Sequence, residues 1–420
     1  MTTRRDESAD TPVERIDQLR RRLMKAVGVL GGASLFAGRI GGALAADEVM
    51  LPFANGRRAL VAYPQKRPLI LMTSRPVQLE TPMSVFDEGA ITANDAFFVR
   101  WHLADMPITL DASKFTLKVH GRVKTPLALK REDLQKNFEP VEITAVCQCS
   151  GNSRGFFEPR VPGGEWANGA MGNAVWKGAR LKDILDKAGL EADAVQVRLN
   201  GAEGPVAPGT PDFVKAIDVD LARHPDVLVA YSMNGQDLPL LNGFPFRLIV
   251  PGYFATYWTK MLDDVEVINK VDDNFWMKTA YRIPADPSGS QEPGQTVKTV
   301  PINRMPVRSF VTSVADGAKV PAGRPLTVRG IAFDSGYGIR QVLFSTDGGR
   351  NWSQARLGKD YGKYSFRQWE ANVTPAAGQS YALQSLAING IGESQRVGTA
   401  VWNPGGYLRN TVETVRVSAG

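Results

Sequence analysis

Two cysteines occur in this chain, and both fall in one segment, Val146-Cys147-Gln148-Cys149-Ser150-Gly151-Asn152-Ser153-Arg154. An apolar run enters the cysteines and breaks at a Gly-Asn turn, which puts the Cys149 thiol at a strand end where a ligand can approach. Thiolate is the nucleophilic and metal-binding form of cysteine, and a nearby cation favours it. Arg154 lies five residues on, within reach of a returning turn. Side chains two apart on a strand share a face. The pair therefore reads as two core thiols, a strained bridge, or one working thiol beside a bystander. Free cysteine is among the most buried residue types, which favours the core reading on composition alone. Arg100, His102 and Tyr281 offer charge, a titratable ring and a phenol, but singly such residues are most often packing or surface groups.

The chemistry these residues can reach is bounded by what is missing. The three histidines are His102, His120 and His224, and neither Cys-x-x-Cys-His nor His-Pro-Gly-Gly occurs. No haem attachment of those kinds is expected. A Gly-x-Gly-x-x-Gly fingerprint is also absent, so neither flavin nor NAD is expected. Two cysteines cannot make a disulfide framework.

The elements that must position these groups follow from hydrophobic period. Phe115–His120 and Val141–Cys147 read as strands. Lys177–Gly189 carries Leu181, Ile184, Leu185 and Ala188 at helical spacing and stops at Gly189. Val195–Leu199, Val227–Tyr231, Phe246–Val250 and Asp264–Ile268 read as further strands. Without a regular βαβ repeat, 91–290 is expected to be a mixed α+β catalytic domain. Residues 46–90 are Pro-rich and weakly periodic, and read as an extended arm. A Pro/Gly/Ser/Gln-rich stretch from Ala285 to Pro301 reads as a linker. Beyond it, Phe310–Val314, Leu326–Phe333, Gln341–Ser345, Trp352–Leu357, Ser365–Val373, Tyr381–Ile388 and Gly398–Trp402 read as short strands. Such strands without a helix predict an all-β immunoglobulin-like sandwich over 301–420.

The chain has 420 residues, 43% of them hydrophobic, enough for two cores. A net charge of +7 is mild, and residues 1–45 hold eight Lys/Arg against five Asp/Glu. No basic stripe of a nucleic-acid binder is present. The N-terminus reads as an export signal: Arg20-Arg21-Arg22 precede the apolar, Gly-rich run Ala26–Leu44, and Ala43-Leu44-Ala45 offers a cleavage site. Paired arginines of this kind are similar to a twin-arginine signal, which implies a periplasmic protein exported folded. Arg39 and several glycines interrupt the run, whereas a membrane span wants about 20 predominantly apolar residues. No membrane residence is expected.

Cys149-Ser-Gly-Asn-Ser-Arg154 resembles the Cys-Ala-Gly-Asn-Arg-Arg segment of the sulfite oxidase family of molybdenum-cofactor oxidoreductases. Phe97-Phe-Val-Arg100-Trp-His102 resembles the family's aromatic-x-x-Arg-Asn-His segment, with Trp101 in place of Asn. Gly164-Glu-Trp166 resembles Gly-Leu-Glu-Trp, without the preceding basic residue. Asn242-Gly-Phe-Pro-Phe-Arg247 followed by Lys260 resembles the His/Asn-Gly-Phe-Pro-x-Arg…Lys set. Phe275 to Arg282 resembles the segment that ends in the active-site tyrosine, with Ala280 in place of an acidic residue. These matches run in order from about 90 to 285, and Ser345-Thr-Asp-Gly-Gly-Arg-Asn-Trp352 resembles the dimerisation domain that follows.

The resemblance implies a molybdenum-molybdopterin cofactor with Cys149 as the metal ligand and Cys147 as a core thiol. It implies a cofactor-binding set of Arg100, His102, Cys149, Asn242, Arg247, Trp258, Thr259 and Lys260, with Arg247 and Lys260 on the cofactor phosphate. Charge-assisted donors suit that work. Substrate handling falls to Arg100, Tyr281 and Trp166, with Arg154 and Arg409 as further candidates for the pocket. The implied reaction is oxidation of sulfite to sulfate, with electrons leaving to a periplasmic c-type cytochrome. A homodimer or a heterodimer with a cytochrome subunit is expected. Alternatives are the sulfur dehydrogenase subunit of a thiosulfate-oxidising complex, a methionine sulfoxide reductase of the same superfamily, and a non-enzymatic scaffold.

Overall fold

Residues 47–398 and 400–420 are described by a computed structural model, and the segment read as an export signal lies outside them. Residues 47–420 make up one compact unit. Strands dominate. The α+β expectation holds only in part, because the longest helix among the described residues, Leu181–Ala188, spans eight residues. Among the described residues no helix is long and apolar enough to cross a membrane.

Two sheets frame the middle of the chain. In the first, Gln236–Asp237, Leu228–Met233, Met171–Arg180 and Pro140–Gln148 lie in that order, with Arg247–Ile249 also pairing with Leu228–Met233. In the second the order is Lys215–Asp218, Gln196–Gly201, Leu262–Ile268, Leu117–Gly121 and Leu127–Leu129. One pair in it, Leu262–Ile268 with Leu117–Gly121, is parallel. The long ribbon of Pro140–Gln148 against Met171–Arg180 is in register from Pro140↔Ala179 to Gln148↔Met171. Its outer end is half exposed and its last four residues, Ala145 to Gln148, are buried. That burial gradient aims the chain inward, and Cys149 follows at the buried end.

The helix read over Lys177–Gly189 begins only at Leu181, because 171–180 belongs to the ribbon. Gly178 explains this: a Cβ there would stand 2.2 Å from the Val229 carbonyl oxygen, so the backbones touch and a strand is required. Gly189 ends the helix at φ 73°, as its type predicted.

The arm expected over 46–90 is instead a sheet. Glu48–Met50, Arg57–Val61, Leu69–Ser74, Val77–Glu80 and Val99–Arg100 form a five-stranded meander. Pro64, Pro68, Pro76 and Pro82 fall between its strands, where a missing N–H costs no ladder bond. Their density masked the short runs between them.

Past Pro284 the chain builds a four-stranded sheet (Arg308–Val311, Leu326–Phe333, Arg367–Val373, Arg356–Leu357) and a five-stranded one (Ala318–Val320, Thr414–Ala419, Ser380–Asn389, Ile339–Ser345, Ser353–Gln354). The run read as Trp352–Leu357 is split at buried Ala355, one half pairing in each sheet. Of the run read as Gly398–Trp402, the described residues 398 and 400–402 are not in a strand: Trp402 is held by Ser290 and Pro159 instead. The closing strand is Thr414–Ala419. The two sheets enclose their own apolar cluster, including Val328, Val342, Trp369 and Leu383. Their outer residues Phe310, Phe333 and Phe366 join the larger central core, where Phe366 meets Phe86 edge-on. The linker is also less loose than expected, since Thr299–Pro301 pairs with Arg282–Pro284.

Candidate active site

The turn after the ribbon is fastened on three sides. Cys149 N–H donates to the Ala170 carbonyl (2.9 Å), and Asn152 N–H donates to the Cys149 carbonyl (3.0 Å). The Asn152 side chain accepts from Ala170 N–H and donates to the Asn168 carbonyl. Ser153 turns the chain at φ 73°, and its hydroxyl accepts from Arg308 at 2.8 Å. Ser153 N–H donates to the Ala167 carbonyl and Arg154 N–H to the Gly151 carbonyl, so this buried polar turn is tied down largely by its own backbone. Both thiols are free, which removes the strained-bridge alternative. Cys147 is fully buried with its sulfur 3.2 Å from Arg247 Nη2, and burial pushes its thiol up to about 11. Cys149 opens onto a cavity.

That cavity spans about 400 Å³, part of it open to solvent, and is walled by Phe98, Arg100, His102, Cys149, Arg247, Lys260 and Tyr281, among others. Arg247 and Lys260 face each other as a bridge between two short extended segments. Gly243, at φ 110°, permits this approach: a Cβ there would lie 3.1 Å from the Lys260 Cα. Lys260 sits 4.4 Å from the Trp101 ring, and burial lowers its ammonium to about 8. Arg247 donates to the Asn242 carbonyl, while its Nε has no partner. Arg100 Nη1, Ser150 Oγ and Thr256 Oγ1 are likewise buried without partners. Leaving a buried donor unmatched costs about 1–3 kcal/mol, more when it is charged. A cavity with several such donors is built for an anionic, oxygen-rich ligand.

Opposite the thiol stands an aromatic cluster. Tyr281 lies at φ 54°, a region a bulky side chain enters only when its surroundings hold it. Its ring stacks on Tyr407 (5.7 Å), and its hydroxyl is 2.7 Å from His102 Nε2. Burial raises the Tyr281 phenol above its ordinary value, so the hydroxyl keeps its proton. The His102 ring stacks on Phe213 and is held well below its ordinary value by burial, then by Arg100, Lys260 and Lys215.

Residues 103–276 match the oxidoreductase molybdopterin-binding domain, and 299–418 match the Mo-co oxidoreductase dimerisation domain. Chicken sulfite oxidase (Gallus gallus) is 32% identical over 87% of this chain and 80% of its own length. The human mitochondrial enzyme is 32% identical over 84% of this chain, and the match spans 66% of the human enzyme. The chain belongs to the sulfite oxidase family. The two domain matches make it a molybdopterin-dependent oxidoreductase. The crystal structure of the sulfane dehydrogenase SoxCD from Paracoccus pantotrophus has the same fold: TM-score 0.71 and 23% identity over 93% of this chain and 96% of that one.

Within this sulfite oxidase fold, Arg100, His102, Cys149, Asn242, Arg247, Lys260 and Tyr281 all reach the cavity. The other expected site residues do not line it. Trp258 is buried against Trp176, donates to the Tyr253 carbonyl and lies beside the Arg247 guanidinium. Thr259 is buried with its hydroxyl unpartnered, and its carbonyl holds Leu248 N–H. Trp166 is buried behind the Cys149 turn, where its carbonyl accepts from Gly155 N–H. Arg154 folds back against Gly151 but is not part of the cavity wall. Its guanidinium lies 5.2 Å from the Tyr407 ring and donates to the Gly405 carbonyl. Arg409 is turned onto Glu413 (3.1 Å) and the Phe156 ring rather than toward the cavity.

Sequence reasoning missed three buried ionisable groups around the site. Lys66 donates to the Asn94 and Phe97 carbonyls and to Asn242, so it fixes the Asn242 amide. Lys215 donates to the Trp276 carbonyl and lies between the Tyr257 and Tyr281 rings, with burial lowering it to about 7. Glu203 faces His102. Lys215 had a readable signal, a lone charge leading the apolar pair Ala216-Ile217 in a short strand. Lys66 and Glu203 had none.

Proposed function

We propose that this chain is a sulfite dehydrogenase: it oxidises sulfite to sulfate at a molybdenum-pterin centre and passes electrons to an external c-type cytochrome. The observation carrying this reading is the convergence of one free thiol and three cations, Arg100, Arg247 and Lys260, on a cavity where several buried donors lack protein partners. A molybdenum-pterin cofactor fits these residues, because it brings a metal for the Cys149 sulfur and anionic oxygens for the orphaned donors. When bound, the cofactor supplies oxygen-atom transfer to sulfur and takes up two electrons.

The protein's own residues supply position and charge. Arg247 and Lys260 would hold the cofactor phosphate, with Thr256 near it. Arg100 lines the cavity with a buried Nη1 that has no partner, and would bind the substrate anion there. Tyr281, kept protonated by burial and hydrogen-bonded to His102, would take up a proton released in the cavity as it passes its own on. Phe98 and Leu241 wall the space and limit water.

Location and assembly form part of the same proposal. Arg20-Arg21-Arg22 ahead of an apolar run supports twin-arginine export to the periplasm. The dimerisation-domain match over 299–418 supports a homodimer, and two sheets around one apolar cluster support an immunoglobulin-like sandwich for that part. A second reading is a sulfane dehydrogenase subunit, favoured by the shared fold of that enzyme. The higher identity to sulfite oxidases supports sulfite as the preferred reading.

Protein made in a host that supplies the cofactor should hold close to one molybdenum per chain and reduce cytochrome c when given sulfite. Cys149→Ser should lose the metal and turnover together. Normal sulfite turnover in that variant ends the proposal. Turnover of protein-bound sulfane sulfur with none of sulfite moves the assignment to the second reading.

A further inference from the structure

Oxidation of sulfite by water gives sulfate, two protons and two electrons. The electrons have a carrier in the function proposed above, on which this inference rests. The protons need an exit from a cavity lined with cations. We infer that Tyr281, His102 and Glu203 form a proton relay leading out of the cavity.

The relay stands on the geometry of three side chains. The Tyr281 hydroxyl lies at the cavity and 2.7 Å from His102 Nε2. On the far side of the ring, His102 Nδ1 is buried without a hydrogen-bond partner. Glu203 Oε1 is 3.6 Å from it, one small rotation from a bond. The other carboxylate oxygen, Oε2, is pinned by the backbone N–H groups of His102 and Leu103, each at 3.0 Å. The carboxylate is therefore anchored by one oxygen and free at the other, which faces the imidazole. Phe213, stacked on the ring, keeps the two nitrogens pointed at their partners. Glu203 itself is buried, and the chain turns outward directly after it: Gly204 is half-buried and Pro205 to Gly209 are exposed. The relay thus ends two residues from an exposed segment.

In the step, the Tyr281 O–H bond breaks as its proton passes to His102 Nε2, and the Tyr281 oxygen takes up a proton from the cavity. At the same time the Nδ1–H bond breaks and that proton goes to Glu203 Oε1. No electron moves. The shifts must be concerted, because Arg100, Lys260 and Lys215 face the ring and a full imidazolium is disfavoured there. A ring that cannot store the charge must hand it on. Glu203 and His102 act through Tyr281, so they are positioning residues.

The chain has only three histidines, so nitrogen NMR of histidine-labelled full-length protein resolves them. His102 should be neutral with its proton on Nδ1, directed at Glu203. Glu203→Gln keeps a carbonyl for the two backbone donors, and should shift the proton toward Nε2. It should also lower kcat about tenfold, with KM nearly unchanged and a larger solvent isotope effect. Tyr281→Phe should abolish the shift of the His102 Nε2 signal caused by the phenol. A wild-type His102 protonated at Nε2 overturns the relay. So does an unchanged kcat in a molybdenum-loaded, sulfite-oxidising Glu203→Gln enzyme, which leaves the proposed function standing. Wild-type protein without molybdenum or sulfite turnover overturns that function and the relay with it.

Discussion

Arg100 and Arg308 both carry guanidinium nitrogens shut away from water, in two neighbouring regions that spend those donors differently. Arg308, from the C-terminal sheets, gives Nη1 to Ser153 and Nη2 to Glu413, and covers the Phe310 ring. Its environment is so dry that burial lowers even this group to about 9. Glu413 also takes Arg409, so one carboxylate serves two guanidiniums and each is ion-paired, with only its Nε left without a partner. Arg100 has Nη1 buried without a partner, in a wall that also holds Arg247 and Lys260. Paired buried charge fixes structure, and breaking it costs stability. Unpaired buried charge costs stability until a ligand arrives. The first region braces the Cys149 turn from behind, and the second faces what the turn presents.

The largest separation between the regions should come from Arg308→Met. It leaves Glu413 to Arg409 and releases Ser153, so with two charge-assisted hydrogen bonds lost stability should fall by about 3 kcal/mol in thermal or denaturant unfolding. An unchanged stability would erase the distinction. Arg100→Met should do the opposite, leaving stability nearly unaltered while raising the KM for sulfite about 10- to 100-fold, equivalent to one charge-assisted hydrogen bond of about 1.5–3 kcal/mol. An unchanged KM in steady-state assays would remove Arg100 from anion binding.

A smaller effect separates the regions by pH. The Lys260 ammonium, ordinarily at 10.5, is held at about 8 by burial. Between those values the unfolded chain binds a proton that the folded protein has released. The stability of cofactor-free protein should therefore rise with pH from about 8 to 10.5, and Lys260→Met should remove that part of the rise. Equal slopes in the two proteins would show that Lys260 already has an acceptor. The smallest effect should come from Arg409→Gln, whose guanidinium is committed to Glu413 and Phe156: the KM for sulfite should change less than about threefold. A tenfold rise would bring Arg409 back to the cavity.

Much of the site could be read from the chain because its parts are local. A strand that runs into Gly-Asn puts a thiol at its end whatever surrounds it, and Cys149 is there. Asn242 to Arg247 and Lys260 lie close in sequence, on segments that pair through Leu248 and Thr259. The alternating strands of the C-terminal part were legible for the same reason, apart from the last, where Trp402 packs on the linker. The first sheet was hidden because prolines between very short strands imitate a loop. Glu203 and Lys66 could not be read because their partners lie 101 and 176 residues away, respectively, and nothing near them in sequence marks them.

Local order along the chain determined the working thiol, the cationic motifs, the Tyr281 segment and the absence of a haem-attachment motif. Tertiary structure alone decided where each guanidinium and carboxylate is spent. Arg154 and Arg409, expected at the pocket, went to Tyr407 and Glu413, while an unremarked glutamate came to face His102. The reason is physical: backbone period and turn chemistry are set by neighbours in sequence, whereas the partner of a buried charge is whichever group folding brings within about 3 Å of it.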